Sequence, residues 1–90
     1  MANSKSAIKR QQQAERRRLR NRGVRTTART MVARARAAVD SGDSDGADQV
    51  RLAQHTLDVG VRKGVLHRNN AARRKSRLMK RLNAAATGQA

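Results

Sequence analysis

Between Val24 and Val39 the apolar residues fall at Val24, Ala28, Met31, Val32, Ala35 and Val39. These spacings gather them within about 100° of a helical wheel. Arg18, Arg22, Arg25, Arg29 and Arg36 form a neighbouring stripe on that wheel. This half of a first helix therefore has a protein face beside a basic face. The helix is expected to start at Asn3 or Ser4, both good caps, and to run to Val39, where SGDSDG at 41–46 stops it.

Upstream of Val24 the pattern dissolves. Arg16, Arg17, Arg18, Arg20 and Arg22 point in nearly all directions, and only Ile8 and Leu19 are large internal apolar groups in the first 22 residues. A helix that is polar all round has no protein core to lean on. At 1.5 Å per residue, thirty-six residues would reach ~54 Å, longer than the later helices can cover. A projecting arm is predicted, frayed alone and ordered when phosphates surround it.

A second helix is predicted from Asp45 to 63, its acidic start complementing the positive end of the helix dipole. Val50, Ala53, Leu57 and Val61 share one face, while Leu52 and Val59 lie roughly opposite. We read the two faces as a central helix touching both neighbours, with a small exposed protein-contact strip as the alternative. Gly60 interrupts the pattern and is expected to weaken it by up to about 1 kcal/mol relative to Ala. Gly64 is a natural C-terminal stop.

The third helix is predicted over 67–86, with Ala71, Leu78, Leu82 and Ala85 stacked on one face. Arg73, Arg74, Arg77, Lys80 and Arg81 occupy the other, and Lys75 sits on the apolar edge, where its stem can pack while its ammonium reaches water. Short connections should fold the three helices, about 4–39, 45–63 and 67–86, into an all-α antiparallel bundle with a protruding basic N-terminal helix. β-branched residues never cluster into an alternating run, so strands are not expected. The chain reads as a single domain, 1–90, with a disordered tail at 87–90.

Composition makes that bundle small. Sixteen of the 90 residues are Ala, and Phe, Tyr, Trp, Pro and Cys are all absent. A short chain with so few large apolar side chains is marginal alone. Without Cys there is neither a disulfide framework nor a thiolate metal site. No apolar run approaches the ~18 residues that would span a membrane. The Arg-rich, acid-poor N-terminus has the composition of a transit peptide but makes a poor amphipathic helix, so a cytoplasmic chain is the expectation.

Charge changes the picture most. Twenty-two basic residues against six acids give +16, a density that opposes compaction and calls for a polyanion. Residues 1–36 carry +11, residues 37–61 carry −4, and residues 62–90 carry nine basic residues and no acid. Seventeen of the basic residues are Arg, the side chain suited to bidentate phosphate contacts and stacking on bases.

Catalysis has little to stand on. His55 and His67 belong to no metal-ligand or triad pattern. His55 and Asp58, like Glu15 and Arg18, stand i,i+3 on a helix and suit surface pairs worth tenths of a kcal/mol. No glycine-rich phosphate loop is present. No enzyme activity, cofactor, metal or small-molecule substrate is expected.

Among nucleic-acid binders, the lack of aromatics excludes base-stacking sheets, and the lack of Cys excludes zinc fingers. No heptads follow a basic region. Helices reading backbone shape and charge remain, and folded RNA, with phosphates converging from several directions, suits an arm that is basic all round. A DNA-compacting protein lacks its one-faced reading helix and dimerisation seam here. A cationic membrane-active peptide lacks its amphipathic N-terminus. The chain is not expected to be an obligate homo-oligomer or to bind membranes.

MANSKSAIKR at the start, Glu15, and Arg25-Thr26-Thr27-Ala28-Arg29-Thr30 resemble the bacterial small-subunit ribosomal protein S-twenty family. KGVLHRNNAARRKSRL at 63–78 resembles that family's C-terminal signature more closely still, and the likeness covers almost the whole chain. The resemblance implies a three-helix bundle that binds 16S ribosomal RNA early in 30S assembly, bridging the 5′ domain and the long helix of the 3′ minor domain beside other small-subunit components. By motif match, Lys5, Lys9, Arg10, Arg25 and Arg29 would contact RNA from the first helix. His67, Arg68, Asn69, Arg73, Arg74, Lys75 and Arg77 would do so from the third. The basic faces add Arg16, Arg17, Arg18, Arg20, Arg22, Arg36, Lys80 and Arg81 as candidates. Gly60 departs from the family, where Ala is common, and this puts the local stability of the second helix in question.

Overall fold

In a computed structural model, which describes residues 4–87, the chain forms three helices: α1 (Lys5–Asp40), α2 (Gly46–Arg62) and α3 (Arg68–Ala86). There is no strand among the described residues. Each boundary lies within one residue of the expectation, and the capping chemistry shows why. Ser4 Oγ accepts the Ala7 N–H at 3.2 Å; Asn3, the other predicted cap, lies outside the described residues. At the far end Gly42 turns left-handed with φ 71°. That turn lets the Asp43 N–H reach the Ala38 carbonyl at 3.0 Å and the Gly42 N–H reach that of Val39 at 3.2 Å, the paired bonds of a Schellman stop.

The same device ends α2. Gly64, at φ 73°, allows the Val65 and Leu66 N–H groups to donate to the Gly60 carbonyl at 3.0 and 3.1 Å. Leu66 folds back over Gly60, where an added Cβ would stand 2.5 Å from Leu66 Cδ1. Gly60 is therefore a close-approach point as well as a poor helix former. His67 then caps α3, its Nδ1 accepting the Asn69 N–H at 3.1 Å. Thr87 caps the C-terminus of α3; residues 88–90 of the predicted disordered tail lie outside the described residues.

All three helix pairs pack together. Asp40, ending α1, meets Arg81 near the end of α3, so α1 and α3 run parallel and α2 runs antiparallel between them. Ala28, Val32, Ala35 and Val39 from α1, Val50, Ala53 and Leu57 from α2, and Ala71 and Leu78 from α3 form the buried core. Met31, Val61, Leu66 and Leu82 pack at its edge. Small residues at Ala28, Ala35, Ala53 and Ala71 let thin helices approach closely.

Two apolar expectations fail. Leu52 does not join the core; it is 49% exposed, because α2 reaches both neighbours through its other face. Ala85 is also exposed, because α1 stops opposite Arg81 and the last turn of α3 overhangs that end. The N-terminal half of α1 leaves the bundle, stretching the molecule to 67 × 21 × 15 Å. Ile8 and Leu19 there are 45% and 59% exposed.

Candidate nucleic-acid interface

The basic stripe of α1 and the basic face of α3 meet along one groove. Since α1 and α3 run parallel beside each other, Arg29 and Arg36 from one wall face Arg74, Arg77, Lys80 and Arg81 from the other. Val32, Ala33 and Leu78 line the space between, which has a volume of about 720 Å³. Six cations around an apolar floor repel one another, and anions entering the groove relieve that repulsion. One wall continues beyond it: Arg25, Arg22 and Arg18 extend the Arg36–Arg29 row outward along α1, a run of ~27 Å from Arg18 to Arg36 at 1.5 Å per residue.

The arm itself exposes Lys5, Lys9, Arg10, Arg16, Arg17, Arg18, Arg20, Arg22 and Arg25 to solvent. Arg16, Arg17 and Arg20 gather with Gln13 around a smaller concavity. Glu15 meets Arg18 at 3.5 Å, a loose surface pair of little energetic worth. At the start of α3, His67, Arg68 and Asn69 are exposed. Capping occupies His67 Nδ1 and leaves Nε2 for an outside partner.

Apart from Glu15 on the arm and Asp40 at the end of the groove, the acids lie off this surface. Asp43, Asp45 and Asp48 cluster around the α1–α2 turn, where Asp43 Oδ1 accepts the Asp45 N–H at 3.0 Å and Asp48 meets Arg51 at 2.7 Å. The two acids that reach α3 bind its cations. Asp58 takes the Lys75 ammonium at 2.9 Å rather than its i,i+3 neighbour His55. Lys75, half-buried at the apolar edge, thus serves the α2–α3 contact. Asp40 receives Arg81 Nη1 at 2.8 and 2.6 Å and pins it at the α1 C-terminal end of the groove. Lys75 and Arg81 are therefore engaged within the protein, while Arg73, Arg77 and Lys80 stand exposed and Arg74 is half-buried at the groove wall.

The profile of the family described as Ribosomal protein S20 matches residues 2–83. The chain belongs to the S20 family. A small ribosomal subunit protein bS20 from Thermomicrobium roseum is 53% identical over 85 residues, covering 93% of this chain and 86% of its own. The bS20 of Corynebacterium efficiens is 49% identical over 84 residues, covering 92% and 97%. That of Hydrogenovibrio crunogenus is 46% identical over 87 residues, covering 96% and 100%. S20 is a family of ribosomal proteins, and the resemblance drawn from the two end motifs is upheld.

In this S20 chain the C-terminal motif combines structural and surface roles. KGVLHRNN supplies the Gly64 stop, the Leu66 cover on Gly60 and the His67 cap. ARRKSRL supplies Arg74, Arg77 and Leu78 to the groove and Lys75 to Asp58. The helical wheel shows the α1 and α3 stripes separately, but neither their convergence nor the Asp40–Arg81 and Asp58–Lys75 pairs. The available signal was an acid at one helix end and a cation near another; only the parallel register of α1 and α3 brings the first pair together.

Proposed function

We propose that this protein is a structural constituent of the small ribosomal subunit in the cytoplasm, where it binds 16S ribosomal RNA directly and stabilises its folding during 30S assembly. The convergence of the two basic stripes on one groove carries this reading, and family membership supports it. The groove and the all-round arm suit two different tasks. The groove presents cations toward one strand or turn of RNA, whereas the arm has guanidinium groups on every side and suits phosphates that enclose it. Such contacts fix position and shape without carrying much base information.

The reading extends to a bridge between the 5′ domain and the long helix of the 3′ minor domain, with the bundle and the arm engaging different RNA elements beside other small-subunit components. Binding of purified 16S ribosomal RNA, challenged by excess duplex DNA, tests the assignment. Retention on RNA with steep salt sensitivity is expected. Equal affinity for both polymers would overturn it.

A further inference from the structure

We infer that the α1/α3 groove is a pocket for a single unpaired nucleotide, with its base over the apolar floor and its phosphates on the basic rim. This deepens the RNA-binding reading and rests on it. Phosphates alone explain the rim but not the floor. Val32 and Leu78 are only 8% and 2% exposed, so the floor is Ala33 with the aliphatic stems of the Arg and Lys walls, and covering these apolar groups with a phosphate is unfavourable for the charged group. A base has apolar faces that gain from the same contact. A volume of about 720 Å³ lies within the range of small-ligand sites and leaves room for a base with its sugar.

The walls suit this occupant. The protein has no Phe, Tyr or Trp and neither histidine lines the groove, so a base can stack here only on guanidinium planes or aliphatic surface, and Arg is the side chain that does both jobs of stacking and phosphate binding. Arg29 and Arg36 rise from one helix, and Arg74 and Arg77 from the other. Asp40 holds Arg81 at one end of the groove. The other end opens toward Arg25, Arg22 and Arg18, which offer a path for the strand that carries the nucleotide. No amide or carboxylate lines the groove, so it lacks the side chains that pair with adenine and cytosine edges, while its Arg and Lys can still meet a guanine edge.

Ala33 provides a charge-neutral test. It is exposed on α1 and lines the floor, so Ala33→Leu fills the groove, preserves every cation and keeps a strong helix former. The probes are a hairpin RNA with one bulged adenosine and the same hairpin fully paired. The full-length wild type is expected to prefer the bulged hairpin by about tenfold, the worth of one stacked base. Ala33→Leu should abolish that preference, bringing the two hairpins to equal affinity. Circular dichroism checks that the variant is folded, and Ala33→Met gives a second filling side chain. Equal wild-type affinity for both hairpins, or a preference that survives groove filling, would overturn the pocket. The separate competition between 16S ribosomal RNA and duplex DNA reads the broader function, so failure of one is distinguishable from failure of the other.

Discussion

Gly60 shows how a residue can be unfavourable by itself and suited to its place. A helical Gly costs about 1 kcal/mol relative to Ala, yet a Cβ here would stand 2.5 Å from Leu66 Cδ1. Gly60→Ala should therefore destabilise the wild type, whereas in a Leu66→Ala background it should stabilise by about 1 kcal/mol. Urea unfolding of the four proteins of that cycle measures the change of sign; the same sign in both backgrounds would refute the close-approach account. His67 gives a second residue-scale expectation. His67→Ala should cost about 1 kcal/mol through loss of the α3 cap, and His67→Asn should restore most of it. Both roles lie in backbone hydrogen bonds around a turn. Gly64 and His67 could be read as a stop and a start from residue type alone, but the folding of Leu66 onto Gly60 is a tertiary contact that no local pattern announces.

At the scale of elements, periodicity revealed what faces inward and left open what faces a neighbour. The α1 stripe became a core face from Ala28 to Val39, with Val24 left half-buried beyond it, because one 100° arc matched one packed side. Leu52 and Val59 left two readings open because a pair of apolar residues on a second face does not say whether a neighbour covers it; Leu52 is exposed and Val59 half-buried. The two basic stripes were legible singly, but their meeting depends on the parallel arrangement of α1 and α3 that α2 imposes. The arm was legible as an absence of pattern, and its independence is testable. Deleting residues 1–22 should leave the bundle's helicity largely intact, as circular dichroism would show, while RNA affinity falls by orders of magnitude. Unchanged affinity would mean that the groove suffices. Asp40 joins stability to binding at this scale. Asp40→Asn removes an exposed pair worth at most about 1 kcal/mol, so the bundle should weaken slightly while RNA binds more tightly through the released Arg81. Weaker RNA binding by Asp40→Asn would show that holding Arg81 in place outweighs its partial neutralisation.

For the whole molecule, the same charge acts in opposite directions on folding and on binding, and salt separates the two. A net +16 on a bundle with a small core and a bare arm sets most charges against like neighbours. Raising ionic strength from 0.1 to 1 M shortens the screening length from about 10 to 3 Å and weakens this repulsion. It also weakens the four ion pairs Arg18–Glu15, Arg51–Asp48, Lys75–Asp58 and Arg81–Asp40. These are solvent-accessible and individually worth no more than about 1 kcal/mol, while sixteen excess charges repel across the whole surface. Repulsion should win, so the melting temperature of the free protein should rise with sodium chloride. RNA binding should move the other way, because each neutralised phosphate releases counterions. With some six to ten phosphate contacts, affinity would fall by about 10³–10⁵ between 50 and 200 mM salt. Thermal melts and filter binding over one salt series measure both trends. A melting temperature that falls with salt would make the ion pairs, rather than the core and caps, the main support of the free bundle. A flat binding curve would remove phosphate neutralisation as the basis of recognition.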